Sequence, residues 1–246
     1  MRRRRTLFGV LVVVAAVAAL LLVPRLLRGT DNLAPSAAPA CTDPILTTSA
    51  NRTWRNGGFV VDQDMWNNHG GTQTLAACSY RNWRVTATQA DTPDVNTYPN
   101  VHRDFDEPSL ASFTEISSRF ASRGPEEGTY DFAYDVWLDG VATDGSTEIM
   151  VWTDTHGNAP NVPQQGVFLS RGIRYTVYRA GHYIAFVGPN RSAGEVDLLD
   201  FFRHAVRRGW LRPTSTIGQI DYGVETCSTG GRPLEFEVTD FALTTR

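Results

Sequence analysis

Two glutamates carry the strongest chemical signal in this chain, Glu148 and Glu225, 77 residues apart. Each sits in a run that alternates with the two-residue period of a β-strand. In 146–152, Ile149 and Val151 point one way while Glu148, Met150 and Trp152 point the other. A carboxylate beside a thioether and an indole is an unusual choice for a face bathed in water, and reads as the lining of a groove. In 219–225, Ile220, Tyr222 and Val224 suit a core, whereas Gln219, Asp221 and Glu225 face away from it. In 132–138, Phe132, Tyr134, Val136 and Leu138 form the apolar set and leave Asp135 and Trp137 on the opposite face. If the three runs share a sheet, its outer face is acidic and aromatic, a surface suited to carbohydrate, because rings stack on sugar faces and carboxylates accept hydroxyl hydrogen bonds. Paired carboxyl groups also match glycoside hydrolysis, in which one protonates the leaving oxygen and the other attacks the anomeric carbon or activates water. Two solvated strand glutamates are the plain alternative, since spacing along the chain gives no distance in space.

The surrounding elements read as an all-β domain. Short alternating or apolar runs at 58–62, 74–77, 83–88, 112–120, 130–138, 147–153, 173–179, 182–188, 217–224 and 234–241 are separated by Gly, Pro, Asn and Asp, the pattern of a sandwich or barrel. One segment reads as helix. Ser192 to Glu195 fits a capping box, Leu198, Phe201, Phe202, Ala205 and Val206 form an apolar stripe, and Gly209 suits the position after the last turn. Such a lone helix is expected on the back of a sheet. His204 within it reads as a solvent-facing or helix-end residue, and His102 and His156 as surface residues of loops at the edge of the groove, with substrate contact the lesser alternative.

Composition narrows the class. All 23 basic residues are arginine, and six of them lie within 1–28; the remainder carries 17 arginines against 26 acidic residues, a balance of −9. An acidic domain without a basic stripe argues against nucleic acid. Residues 1–28 combine Arg2 to Arg5 with an uncharged run from Leu7 to Val23, as in a signal peptide or signal-anchor helix, with an anchor slightly favoured. Residues 29–40 read as a linker and 41–246 as the exported domain, outside the cell or tethered to the outer face of the cytoplasmic membrane, with the membrane met only through the N-terminal segment. Export permits disulfides, and Cys41 and Cys78, which flank the first predicted strands, are the favoured pair, leaving Cys227 free.

Thr147-Glu148-Ile149-Met150-Val151-Trp152, preceded by Tyr134-Asp135-Val136-Trp137-Leu138, resembles the nucleophile region of glycoside hydrolase family 12, endo-β-1,4-glucanases with xyloglucan-active members. Further matches keep the family's order: Cys41 with Cys78, Met65-Trp66-Asn67, Thr97-Tyr98-Pro99-Asn100-Val101, the helix at 198–209, and Gly223-Val224-Glu225 followed by Gly230-Gly231. The resemblance spans about 41–242. It implies a jelly-roll β-sandwich with a cleft across one sheet, a Cys41–Cys78 disulfide, no cofactor and no metal. It also implies Glu148 as nucleophile, Glu225 as general acid/base, Asp135 as support for the nucleophile, Trp66 as a sugar-stacking platform, and Met150 and Trp152 as shapers of the floor.

Three departures stand out. Gln63-Asp64 replaces the family's Asn-Asn before the platform Trp, Thr226-Cys227 replaces a Pro-aromatic pair after the acid/base, and Pro163-Gln164-Gln165-Gly166 replaces the Pro-Ile-Gly of the loop that crosses the cleft. The expected partner is a β-glucan polysaccharide: cellulose, xyloglucan or mixed-linkage glucan, cut internally with retention by a monomer. The competing expectation is a catalytically weak jelly-roll module that binds polysaccharide at the cell surface.

Overall fold

The structure, a computed structural model, describes residues 41–246; the targeting segment at 1–28 and the linker at 29–40 lie outside these residues. No helix among the described residues is long and apolar enough to cross a membrane. The chain forms β1 (Ile45–Thr47), β2 (Thr53–Asn56), β3 (Phe59–Asp62), β4 (Thr72–Ser79), β5 (Asn82–Thr88), β6 (Asn100–Asp104), β7 (Ile116–Arg123), β8 (Thr129–Leu138), β9 (Thr147–His156), β10 (Gln164–Ser170), β11 (Ile173–Ala180), β12 (Tyr183–Val187), β13 (Ala193–Asp197), α1 (Leu198–Arg207), β14 (Ile217–Ser228) and β15 (Leu234–Thr245). The strands build two sheets, one of six in the order β1-β4-β5-β15-β7-β13 and one of nine in the order β10-β11-β12-β9-β8-β14-β6-β3-β2. All pairings are antiparallel except β12 with β9. The last strand of each sheet in chain order is an interior one: β14 lies between β8 and β6, and β15 between β5 and β7.

The expected jelly-roll sandwich is present, and its core follows the alternation. Tyr134, Val136, Ile149, Val151, Ile220 and Tyr222 of the large sheet meet Trp83, Val85, Phe120, Phe236 and Phe241 of the small one in a single apolar cluster. Buried phenols find partners there, as buried polar groups must. Tyr134 OH donates to Ser118 Oγ at 2.9 Å, and Tyr222 OH lies 2.9 Å from Ser122 Oγ.

Nine strands at the usual spacing make a sheet about 38 Å wide, against about 24 Å for six. The excess is covered by α1. Directly after β13 at the small sheet's edge, the chain turns into the helix, which lays Phe201 against Phe168 of β10, Tyr175 of β11 and Phe186 of β12. His204, in the last turn as read, packs there too and is half-buried, with its ring 4.4 Å from that of Phe168.

The helix start differs from expectation. Ala193 to Asp197 is a strand paired with β7, so Ser192 caps nothing; Asp197 is the N-cap and accepts from the Asp200 amide at 3.3 Å. The stop is as read: the amides of Gly209 and Trp210 donate to the carbonyls of Val206 and Ala205, and Gly209 has φ +68°. The run 112–120 begins as strand only at Ile116, because Leu110–Ser112 is a 3-10 turn capped by Ser109. β1, β2, β6, β10 and β13 are strands that alternation did not reveal. In β6 only Val101 belongs to the core, and the outward Asn100, His102 and Asp104 look like loop residues in a sequence.

Cys41 and Cys78 form the disulfide, and Cys227 is free and buried. The bridge spans 37 residues and fastens the chain ahead of β1 onto β4. Closing a loop of that length restricts the unfolded chain by about 3–4 kcal/mol. A Cys41→Ser, Cys78→Ser double variant is therefore expected to lose about that much in urea unfolding. An unchanged midpoint would show that the bridge leaves the stability of the fold untouched.

Candidate active site

The outer face of the large sheet carries a cleft of about 540 Å³ whose lining includes both Glu148 and Glu225. Register explains why they share it. β8 lies between β9 and β14, with Glu148 opposite Trp137, Met150 opposite Asp135, Asp221 opposite Asp135 and Glu225 opposite Asp131. Every one of these side chains falls on the face away from the core cluster, as two-residue alternation demands.

The cleft is electrostatically crowded. Glu148 is pushed up to about 7 by burial and then by the charge of Glu225. Glu225 is likewise pushed up to about 7 by burial, offset in part by a hydrogen bond with Asp131. Burial, followed by the charges of Glu148 and Asp221, holds Asp135 well above the usual carboxylate range. With both groups raised to about 7, the pair passes through a singly protonated state near neutral pH. One group can then act as acid while the other stays ionised.

Several expected site residues meet at the cleft. Trp66, in the loop after β3, is 65% exposed on the cavity wall, as a stacking platform requires. Asp135 lines the floor, where its Oδ1 is buried without a hydrogen-bond partner. Met150 and Trp152 lie deeper, at 1% and 3% exposure, outside the cavity lining. They form a second apolar cluster with Ala133 and Ala185, covered by Tyr178, Tyr183 and Val187. Tyr183 OH donates to Met150 Sδ at 3.3 Å, and Trp152 Nε1 lies 3.5 Å from the same sulfur. These two residues support the floor from beneath.

The altered motif before Trp66 divides in two. Gln63 is fully buried and turned away from the cleft: its amide and that of Gln73 donate to each other's backbone carbonyls at 3.0 and 2.7 Å, tying the loop to β4. Asp64 enters the cleft, pushed up to about 7 by burial and then by Asp62. Behind Glu225, Cys227 occupies the position of the missing aromatic as a buried thiol, pushed up to about 12 by burial and then by the charges of Asp131 and Glu225. Gln164–Ser170 forms an edge strand.

Residues not singled out in the sequence complete the site. Asp131 is fully buried, opposite Glu225, and is carried above its usual range by burial and then by the charge of Glu225; Asn158 Nδ2 donates to its Oδ1 at 2.6 Å. Extending the β8 alternation two residues upstream of Ala133 would have placed it on the cleft face. Tyr98 OH donates to the carbonyl of Ala133 at 3.1 Å, and Asn100 Nδ2 to that of Tyr98 at 2.8 Å. His102, expected on a surface loop, is a β6 residue on the cleft wall, its Nδ1 donating to Asn100 Oδ1 at 2.8 Å. Alternation left β6 unread, although Tyr98 and Asn100 stand in the Thr97–Val101 match. His156 lies at the end of β9, bonded to the Gly128 carbonyl at 2.8 Å and stacked on Tyr130.

No family model matches the sequence, and no curated protein matches it. Solved structures do match in shape. The xyloglucanase domain of NopAA, a type three effector from Sinorhizobium fredii solved with cellobiose, is 24% identical with a TM-score of 0.70 and is covered over 99% of its length by 82% of this chain. The family 12 xyloglucanase from Bacillus licheniformis is 18% identical with a TM-score of 0.72, at 100% and 82% coverage. Endoglucanase cel12A from Rhodothermus marinus is 20% identical with a TM-score of 0.72, at 99% and 82% coverage. The expected architecture is thus confirmed at the level of shape: residues 41–246 carry the fold of the family 12 glycoside hydrolases.

Proposed function

We propose that this domain is a retaining, endo-acting glycoside hydrolase that cleaves β-1,4-glucan-type polysaccharides outside the cytoplasm. The observation that carries the reading is the pair Glu148 and Glu225 on one cleft face, both pushed up to about 7 and each within the other's electrostatic reach. The fold shared with xyloglucanases and endoglucanases supports it. So does the disulfide, which suits an oxidising compartment.

In this mechanism Glu225 enters protonated and donates to the glycosidic oxygen as the bond to the anomeric carbon breaks. Ionised Glu148 attacks that carbon from the opposite side and forms the glycosyl-enzyme. Glu225, now a carboxylate, removes a proton from the water that releases the sugar, and both groups return to their starting states. Asp131 steadies Glu225 through their hydrogen bond, and Asp135, diagonal to Glu148 across β8 and β9, keeps one proton close to the nucleophile. Trp66 offers its ring to a sugar face further along the cleft.

The test is release of reducing ends by the full chain from β-1,4-glucan, xyloglucan and mixed-linkage glucan. Glu148→Gln and Glu225→Gln are each expected to lower kcat by about 10³-fold or more with the fold intact, read by circular dichroism. Binding to these polymers without any cleavage would sink the enzyme reading and leave a polysaccharide-binding module. The rate should follow a bell in pH centred near 7, because only the singly protonated pair is competent.

The same shifts set a stability test. A carboxyl group whose folded-state pKa lies above its unfolded value of 4.5 penalises folding as pH rises through the window from about 4.5 to about 7. Above that window Glu225→Gln is expected to be more stable than the wild type by about 1–3 kcal/mol, and near pH 4 the two should converge. A pH-independent difference would contradict the raised affinity of Glu225 for its proton.

A further inference from the structure

The cleft holds far more acid than glycosidic chemistry needs. Its lining includes Asp62, Asp64, Asp135, Glu148, Asp221 and Glu225, and no arginine; the chain has no lysine at all. Glu148, Glu225 and Asp135 have work in the mechanism above. Asp62, Asp64 and Asp221 do not, and they lie together. Asp221 on β14 is opposite His102 of β6, β6 pairs next with β3, which ends at Asp62, and Asp64 follows. The three therefore run from the carboxylate pair along one arm of the cleft towards Trp66.

This arm is built to receive something. Asp221 is 3% exposed, lines the cavity, and its Oδ1 has no hydrogen-bond partner. Asp135 Oδ1, on the neighbouring strand, is in the same condition. A buried carboxylate oxygen without a partner is costly, and the cost falls when a donor, above all a charged one, reaches it. No basic group of the cleft does so. Burial holds His102 below its usual range, so it is neutral near pH 7, and Arg55, whose charge acts on it, is exposed on the edge strand β2 outside the lining. Asp104 is occupied by Gln219 at 2.7 Å. Among the described residues no group of three or more His, Cys, Asp or Glu is arranged to hold a metal ion. In the empty cleft Asp64 and Asp221 hold on to protons, raised chiefly by burial; an organic cation reaching them would displace those protons and supply the charged donor, and the cleft is already open to an extended sugar chain beside an exposed indole.

We propose, resting on the hydrolase reading above, that the preferred polymer is cationic: a β-1,4-linked chain of 2-amino-2-deoxyglucose units whose protonated amines pair with Asp221 and Asp64. Such a chain has the backbone of a β-1,4-glucan and differs only in the equatorial substituent at C2. Its ammonium brings three donors and a positive charge, which a hydroxyl lacks. Successive strands stand about 4.8 Å apart, comparable with one hexose unit, so β14 and the β3 end can each meet a different sugar. The bond-breaking step at Glu148 and Glu225 is unaltered.

Three β-1,4-linked hexamers separate the possibilities: glucosamine, N-acetylglucosamine and glucose, titrated calorimetrically into the full chain carrying Glu148→Gln so that no oligomer is consumed. The glucosamine hexamer is expected to bind at least about tenfold tighter than cellohexaose at about 20 mM salt. That advantage should shrink several-fold at about 0.5 M salt, and the N-acetyl hexamer should show none of it. Adding Asp64→Asn and Asp221→Asn should reduce the ratio of the glucosamine to the glucose affinity by about tenfold. Equal or tighter binding of cellohexaose overturns the proposal, as does a glucosamine preference that the Asn substitutions leave intact. The hydrolase reading is tested apart: it fails only if the wild-type chain releases no reducing ends from any of the corresponding polymers, whatever the hexamer affinities.

Discussion

A carboxylate withheld from water must be paired, hydrogen-bonded or protonated, and the outer face of the large sheet is arranged around that constraint. Elsewhere in the molecule acids are answered in the usual way. Asp240, nearly enclosed in the small sheet, receives Arg81 at 2.6 Å and Arg119 at 2.7 Å, and is held below its normal range despite burial. In the cleft the answer is protons. Asp64, Asp131, Asp135, Glu148, Asp221 and Glu225 all titrate above their ordinary values, each chiefly through burial. A site so charged with shared protons is destabilising by itself, and the surrounding sandwich must outweigh it.

The sandwich does so by giving each strand of the large sheet two separate tasks. One face of β8, β9 and β14 is Phe, Tyr, Val and Ile packed to full burial; the other carries the reactive groups. The apolar cluster of Met150, Trp152, Ala133 and Ala185 packs on the outer face of the sheet, on the same side of β9 as Glu148. Tyr183, reached through the parallel pairing of β12 with β9, closes that cluster and feels the charges of both Glu225 and Glu148. Glu148 thus rests on hydrophobic packing, while Glu225 lies opposite Asp131, which Asn158 holds in place.

Legibility in the sequence tracked the same division. Strands with a full apolar face, such as β8, β9, β14 and β15, announced themselves by period alone, and so did the side on which Glu148, Asp135 and Glu225 lie. β6 did less well, because a strand whose outward residues are Asn, His and Asp offers only one or two core positions to reveal it, although its neighbour β3 was read. The part of the cleft arm built on β6 was correspondingly hidden, and His102 passed for a loop residue. The capping-box pattern at Ser192 misled because Ala193 to Asp197 can satisfy its backbone in the ladder with β7, and that long-range pairing won over local side-chain capping. The resemblance in motifs pointed to the right architecture at identities where the shape match is needed to establish it. It also placed Met150 and Trp152 closer to the surface than their burial allows.

The interior position of the two last strands has a consequence for how the molecule comes into being. A sheet whose latest strand sits at its margin can be laid down progressively, each new strand adding to a finished edge. Here β14 must enter between β8 and β6, and β15 between β5 and β7, so neither layer closes until the chain is complete almost to Thr245. Partners more than a hundred residues apart, such as Gln219 with Asp104 and Phe241 with Phe120, join only then. Distant contacts of this kind make for slow assembly, because the loops that join them must close before the pairing rewards it. Until that moment β8 and β6 present open edges, and Glu225, the last of the cleft's carboxyl groups in the chain, has no cleft to occupy. Glu148 and Glu225 therefore come to share one face in the same event that seals the core.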